Sequence, residues 1–254
     1  MVEADPPFVG LNNYIKILWT PEFWEEVKLT IIWTGSNLGL IIPIGVLIAL
    51  LLNQEYKGKS FFRTWTLLPW MFPIVVTTLM WRWMLYPVSG VINHILKQIG
   101  MITAPIEFLS DSSIAMFTVV LVNTWRWTPF VAIVILGTLQ TIPKDIYEAA
   151  TVDGAGIFQK FFYITLPHIL PSVIINSFIL MLWLFNMFPP IWLLTQGGPS
   201  RATMTLAISI YKKGFQIFRM SEAATLSIIL LIILSITTWL YFKFVGGKWG
   251  RLND

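Results

Sequence analysis

The chain has 254 residues, of which 56% are hydrophobic and only 12% are charged, and its mean hydropathy is +0.72. An average soluble domain has about 25% charged residues, so this chain has too little charge to cover a soluble surface, and we predict an all-α integral membrane protein. The chain contains no cysteine, which excludes disulfides, thiolate metal sites and cysteine nucleophiles. A net charge of +4 is interpreted as loop charge that faces lipid headgroups, not as a nucleic-acid surface.

Charge-free apolar runs divide the chain into a short N-terminal part and a membrane part. A helix that crosses a bilayer needs about 20 mostly apolar residues, and its backbone groups must hydrogen-bond within their own segment. We predict an exposed N-terminal arm over residues 1–28, which lacks the apolar core of a signal peptide, and a transmembrane domain over residues 29–254. Prolines in or beside the spans are expected to bend the helices. The five predicted spans are residues 29–54, 64–81, 114–140, 169–196 and 223–242.

The distribution of ionisable residues argues against chemistry inside the membrane. All 13 acidic residues lie outside the predicted spans, the two histidines are far apart in sequence, and no metal-ligand spacing occurs. Gly58-Lys59-Ser60 resembles the end of a phosphate-binding loop, but Asn53 stands where that loop needs a glycine. We therefore predict that the chain is not an enzyme and binds no metal or cofactor itself. Lys and Arg divide equally between the two sides of a five-span topology, so charge leaves the orientation open.

The segment from residue 141 to residue 167 has strong local signals for two short helices. Thr141 is a suitable N-cap and Pro143 suits the first turn of a helix, while Gly154 supplies a left-handed turn that ends it. A second short helix is expected from Ile157 to Pro167. Two short helices with small, acidic and aromatic side chains indicate an element that docks in a groove of a partner.

The same segment resembles the EAA loop of importer permeases of the ATP-binding cassette (ABC) family. A second Glu-Ala-Ala triplet at residues 222–224 lacks the downstream pattern and is interpreted as an ordinary helix start. Further matches, among them the segments 10–14, 68–70, 81–83, 137–143 and 194–199, are similar to carbohydrate permeases of the maltose-type group and extend over almost the whole chain. The residues that match the EAA loop are Glu148, Ala149, Ala150, Gly154, Ile164, Leu166 and Pro167.

The resemblance implies a permease with the five-helix core of a type I ABC importer, without the additional first helix usual in the family. Such a subunit pairs with a second permease, receives solute from an extracytoplasmic binding protein and docks on two ATPase subunits, which bind ATP and Mg. It implies a multi-pass protein of a bacterial-type inner or plasma membrane, with the 141–167 loop and the C-terminus in the cytoplasm. The residues expected to couple the chain to the ATPases are Glu148, Ala149, Ala150, Asp153, Gly154, Ile164, Leu166 and Pro167.

In maltose-type relatives the substrate is contacted from the helices before and after the EAA loop, and the matched positions here are Asn123, Arg126, Trp127, Phe130 and Trp183. Asn123, Trp127 and Phe130 have the spacing of one helix face. A charge in mid-span costs about 2.5–3.5 kcal/mol on insertion scales, so Arg126 should face a wet path or a partner subunit. Leu180 and Leu184 occupy positions that are polar in those relatives, which argues against a simple maltose site.

The resemblance leaves the transported solute open. We expect a sugar importer, and a permease for glycerol phosphate or another polar solute would share the same motifs, with Arg126 suited to an anion. An ion-coupled secondary carrier is the alternative from another class, although it would lack any acidic residue inside the predicted spans.

Overall fold

In the computed structural model, which describes residues 9–249, all regular elements of the described chain are helical. Besides its α-helices, the described chain contains two π-helical turns, Phe161–Thr165 and Lys212–Gln216. The helices are α1 (Asn12–Leu18), α2 (Pro21–Asn53), α3 (Lys59–Met71), α4 (Ile74–Met84), α5 (Val91–Gln98), α6 (Ala115–Leu139), α7 (Lys144–Val152), α8 (Ile157–Lys160), α9 (Leu166–Phe185), α10 (Pro189–Thr195), α11 (Leu206–Tyr211) and α12 (Met220–Trp249).

Four helices of the described chain are long and apolar enough to cross a membrane, and a fifth crossing is present if one bent pair is counted as a single span. The four are Pro21–Asn53, Ala115–Leu139, Ile157–Phe185 and Met220–Lys243. The prediction of an all-helical membrane protein is confirmed.

The first long helix begins earlier than the predicted span. Helix α2 starts at Pro21, where a missing backbone N–H costs nothing because the first turn of a helix has no acceptor for it. Residues 21–28 therefore belong to this helix and not to a separate arm. Residues 12–18 of the predicted arm form α1, and residues 1–8 lie outside the described part of the chain.

The second predicted span, residues 64–81, is broken in its middle. Helix α3 ends at Met71, α4 begins at Ile74, and the two axes differ by 90°. The break falls on Phe72 and Pro73, both in extended backbone conformation, because proline lacks an N–H and disfavours helical geometry in the residue before it.

The fourth predicted span, residues 169–196, is divided and displaced. The helix that contains most of it starts at Ile157 and passes through the π-helical turn Phe161–Thr165, so the predicted helix end at Pro167 is wrong. Pro167 is tolerated because the π turn shifts the hydrogen bonding by one residue, Leu166 N donating to Phe161 O. The helix ends at Phe185, and Pro189 starts the separate helix α10.

Helix α6 forms the centre of the bundle, with 61% of its most apolar stretch buried, against about a third or less in the other candidate spans. It packs along α2, where Gly45 allows close approach: a Cβ atom at Gly45 would lie 2.7 Å from Val131 Cγ1. The same two helices are joined by a buried hydrogen bond in which Asn123 Nδ2 donates to Asn37 Oδ1 at 2.7 Å. Helices α3 and α9 also pack on α6, while α12 packs on α1 and α11.

Candidate functional site

The 141–167 segment forms a projection that we call the foot, defined as residues 144–165. Helix α7 begins at Lys144 with Pro143 as its N-cap, and the hydroxyl of Thr141 donates to Thr138 O instead of capping the helix. The other end follows the prediction: Gly154 has φ +79°, and Ala155 N donates to Ala150 O at 2.8 Å. This is the Schellman arrangement that closes a helix on a left-handed glycine.

The foot is attached to the membrane helices by polar contacts at its base. The hydroxyls of Tyr147 and Thr165 are 2.8 Å apart, which ties α7 to the start of α9. Lys144 Nζ donates to the carboxylate of Glu55 just beyond α2, and this contact holds the pKa of Glu55 below its ordinary value and raises the pKa of Lys144. A cavity of about 1080 Å³ lies between the foot and the ends of α2, α3 and α6, with Arg63 in its wall.

The outer surface of the foot is unusually apolar for an exposed element. Val152 is 88% exposed, Ile157 86%, Phe158 79% and Tyr163 81%. A group of exposed apolar side chains such as this is typical of a surface that contacts another protein or the membrane. Of the predicted coupling residues, Glu148, Ala149, Asp153, Gly154 and Pro167 are exposed on the foot or at its base, and Ala150, Ile164 and Leu166 are half-buried.

Sequence reasoning omitted Val152, Ile157 and Tyr163 from the coupling residues, and it missed the contact between Tyr147 and Thr165. In a chain that is apolar throughout, the sequence alone does not distinguish an exposed valine or isoleucine from a buried one. The contact needs the path of the chain from α7 back to α9, which spacing alone does not give.

Four aromatic side chains from three helices meet halfway along α6, and we call them the aromatic patch: Trp70, Trp127, Phe130 and Trp183. The ring centroids of Trp127 and Trp183 are 5.0 Å apart, those of Phe130 and Trp183 5.7 Å, and those of Trp70 and Phe130 5.6 Å. Trp70 and Trp183 remain 39% and 42% exposed, so the patch has an open side. The structure thus brings together three predicted substrate-path residues and adds Trp70, which the sequence marked only as part of a family motif.

Arg126 lies at the edge of this patch. Its guanidinium carbon is 5.3 Å from the centre of the Trp127 ring, and Nη2 donates to Phe72 O at 3.4 Å, at the break between α3 and α4. Irregular backbone at membrane depth is tolerated where it is covered by protein or lines a wet cavity. The broken helix and the charged side chain therefore mark the same polar position in the bundle.

The remaining predicted path positions turn away from the patch. Asn123 is fully buried and hydrogen-bonded to Asn37, so the common face expected for Asn123, Trp127 and Phe130 is split, because α2 covers it at the level of Asn123. Leu180 and Leu184 are each 1% exposed and lie in the core. Their apolar character is explained by packing.

Other candidate sites in the described residues do not combine into a reactive centre. No group of three or more acidic or histidine side chains able to hold a metal is found among residues 9–243, whose side chains the structure describes. The second Glu-Ala-Ala triplet starts α12, where Glu222 forms ion pairs with Lys213 and Arg219, as expected of an ordinary helix start.

Comparison with known proteins assigns this architecture to a family. Residues 41–245 match the family model of binding-protein-dependent transport system inner membrane components. A probable ABC transporter permease protein of Brucella suis biovar 1 is 34% identical over 91% of this chain and 80% of its own length. The chain belongs to this family and is the inner membrane permease subunit of a binding-protein-dependent ABC importer.

Two further relatives and one solved structure are similar to the chain over most of its length. The trehalose/maltose transport system permease protein of Thermococcus litoralis is 32% identical over 94% of this chain and 80% of its own length. The sn-glycerol-3-phosphate transport system permease protein of Yersinia pestis is 32% identical over 95% of this chain and 81% of its own. The crystal structure of a bacterial ABC transporter that imports the acidic polysaccharide alginate contains a chain with a TM-score of 0.86 and 26% identity, over 95% of this chain and 85% of that one.

Family membership fixes the general role of the chain. A permease subunit is not itself catalytic, nucleotide is bound by separate ATPase subunits, and the complex includes a periplasmic binding protein. The chain is a multi-pass protein of the inner membrane.

Proposed function

We propose that the chain forms half of the pathway of an ATP-driven sugar importer and is coupled to the ATPase subunits through the foot. In this assignment Glu148, Ala149, Asp153 and Gly154 present the surface that meets an ATPase. The second half of the pathway comes from another permease subunit, and the foot and the C-terminus lie in the cytoplasm. The remaining proposed coupling residues support that surface from within the foot, as Ala150 and Ile164 do, or from the start of α9 at its base, as Leu166 and Pro167 do.

The observation that carries this proposal is the exposed apolar surface of the foot. Val152, Ile157, Phe158 and Tyr163 each expose about four fifths or more of their surface. Val152 lies outside the four candidate spans, and the other three lie in the first two turns of the helix Ile157–Phe185. Burying such side chains against a partner is worth about 25 cal/mol per Å² of apolar area. Gly154 and its small neighbours keep the backbone of the turn accessible, which permits a close fit.

The proposed solute class rests on the aromatic patch and on the relatives. Flat aromatic faces such as those of Trp127 and Trp183 can stack against the apolar faces of sugar rings, and polar groups beside them orient the hydroxyls. Relatives named for trehalose/maltose, glycerol 3-phosphate and alginate support a sugar or a sugar-like polyol. In the proposed path Arg126, Trp127, Phe130 and Trp183 face the solute, and Asn123 holds α6 in place from behind.

The coupling role is tested by two valines that have the same exposure at opposite ends of the molecule. Val152 on the foot and Val88 beyond α4 are both 88% exposed. We expect Val152→Ser to weaken ATPase binding and to lower sugar-stimulated ATP hydrolysis several-fold, because one apolar contact is lost at the interface. Val88→Ser should leave both unchanged.

The measurement is co-purification of the ATPase subunits with the permease pair, followed by ATP hydrolysis in proteoliposomes with the binding protein and a panel of sugars. Equal effects of Val152→Ser and Val88→Ser would contradict docking through the foot. Hydrolysis that responds to none of the sugars would contradict the solute class and leave the docking role intact.

A further inference from the structure

The charge of Arg126 has no acidic partner among the side chains that the structure describes, residues 9–243. The ion pairs found there are formed by Glu55, Glu222 and the two acids Glu25 and Glu26, none of them with Arg126. An ionisable side chain inside a membrane bundle faces a counter-charge, water or a ligand, since hydrocarbon strongly disfavours an isolated charge. The described side chains of the bundle therefore provide no counter-charge for Arg126.

Most of the hydrogen-bonding capacity around Arg126 is unused. A guanidinium has five N–H donors, yet Arg126 makes one long bond of 3.4 Å to Phe72 O, and its Nε has no partner. The indole Nε1 of the adjacent Trp127 also has no partner. Both of these nitrogens are buried, so a group rich in acceptor oxygens would meet the terminal nitrogens of the guanidinium, of which Nη2 makes only the long bond to Phe72 O.

The aromatic patch supplies the second half of a composite site. Trp127 lies under the guanidinium, and Trp183 packs on Trp127 with a partly exposed ring. A ligand with a ring or polyol part and an acidic group would stack on the aromatic rings and place its oxygens beside Arg126. Carboxylates and phosphates match the planar fork of arginine donors in a way that neutral hydroxyls do not.

We propose that the solute passing this site carries an acidic group, a carboxylate or a phosphate, which Arg126 binds while the aromatic patch contacts the sugar or polyol part. This inference rests on the proposed function, because it names the chemical class of the solute at the proposed path.

The experiment measures how small-molecule probes bind to the solubilised complex of both permeases and the ATPases. The binding protein is left out, so that its own specificity does not affect the measured affinities. Thermal stabilisation of the complex reports affinity, since a ligand bound to the folded state raises the unfolding midpoint. The probes are two matched pairs: glucuronate with glucuronamide, and glycerol 3-phosphate with glycerol. The variants are Arg126→Gln and Arg126→Lys. Arg82→Gln is the control, because Arg82 donates to Leu193 O away from the patch.

For the unmodified complex we expect the acidic member of at least one pair to bind about tenfold or more tightly than its neutral counterpart. Arg126→Gln should remove that preference, Arg126→Lys should keep part of it, and Arg82→Gln should retain it. The two pairs distinguish a carboxylate solute from a phosphate solute.

Equal affinity for acidic and neutral probes in the unmodified complex would overturn the proposal, and this result can be obtained even if Arg126→Gln fails to assemble. A preference that survives in Arg126→Gln would also overturn it. Loss of assembly in Arg126→Gln that is restored by removing a carboxylate from the second permease would identify an inter-subunit ion pair instead. Sugar-stimulated hydrolysis with normal docking through Val152 would leave the proposed function standing in each case.

Discussion

At the scale of single residues, the turn at Gly154 determines the angle between the two parts of the foot. Gly154 has φ +79°, whereas Gly156 two residues later has φ −72° and an extended backbone that any residue can adopt. A Cβ atom would meet nothing within 4 Å at Gly154 and only Gln159 Oε1 at 3.8 Å at Gly156. The two glycines therefore differ in backbone conformation and not in available space.

We expect Gly154→Val to reduce the number of solute molecules transported per ATP hydrolysed, because a left-handed conformation costs a residue with a side chain about 1–2 kcal/mol and the turn will relax. Gly156→Val should leave this ratio close to that of the unmodified protein. The measurement is parallel uptake and ATP hydrolysis in the same proteoliposomes. An unchanged ratio in Gly154→Val would argue against a role for the turn in coupling.

The residue scale also shows where sequence reasoning stops. The helix end at Gly154 was predictable because glycine in a C-cap is a local signal. The environment of Asn123 was not predictable, since its partner Asn37 lies 86 positions away and is selected by the way α2 packs on α6. Spacing placed Asn123 on one face with Trp127, and only the neighbouring helix decides whether that face is open.

At the scale of helices, the contact between α2 and α6 depends on the absence of a side chain at Gly45. A Cβ there would lie 2.7 and 2.8 Å from two atoms of Val131, closer than real Cβ contacts allow, whereas Gly39 on the same helix has nothing within 4 Å. Small residues at membrane helix crossings let backbones approach closely and gain dispersion energy.

Gly45→Ala should destabilise the permease by about 1–3 kcal/mol, the range for overpacking a well-packed contact, and Gly39→Ala should have little effect. Unfolding midpoints of the purified complex measure both changes. The double variant Gly45→Ala/Val131→Ala should recover part of the loss. No recovery would mean that the clash with Val131 is not its cause.

Composition predicted that the chain is helical and where most crossings lie, but not which prolines break a helix. Pro43, Pro69 and Pro129 lie inside α2, α3 and α6, while Pro73 falls at a 90° break. Each proline removes one backbone hydrogen bond, and the result depends on what satisfies the freed carbonyl. Phe72 O, which also lies at the break, accepts from Arg126, a contact that requires α6 to be in place.

At the scale of the whole molecule, one ion pair joins parts of the chain that are 175 positions apart. Arg201 Nη2 donates to Glu26 Oε1 at 2.7 Å, and the side chain of Glu26 is only 5% exposed. Arg201 also has a left-handed backbone, with φ +68°. The pair fixes the loop after α10 to the start of α2, at the end of the bundle remote from the foot.

Arg201→Gln should therefore lower stability by about 2 kcal/mol, the lower part of the range for removing one partner of a buried charge pair, because Arg201 itself is partly exposed. Arg219→Gln, which removes an exposed partner of Glu222, should cost less than about 1 kcal/mol. Glu26→Gln/Arg201→Gln should be more stable than Arg201→Gln alone, since no buried carboxylate is left unpaired. The unfolding midpoints of the complex are measured for these two single variants and the double variant. Equal shifts of the midpoint in Arg201→Gln and Arg219→Gln would contradict the argument that the burial of Glu26 makes its ion pair the stronger one.

The uninterrupted course of the helix from Ile157 to Phe185 has a mechanical consequence. At 1.5 Å per residue it is a rod of about 40 Å, with Phe158 near one tip and Trp183 near the other. No flexible linker separates these two side chains, and the π-helical turn Phe161–Thr165 continues the helix between them, so tilting one tip displaces the other. Under the proposed function, a displacement of the foot by the ATPase subunits would in this way change the spacing of the indole rings along the proposed solute path.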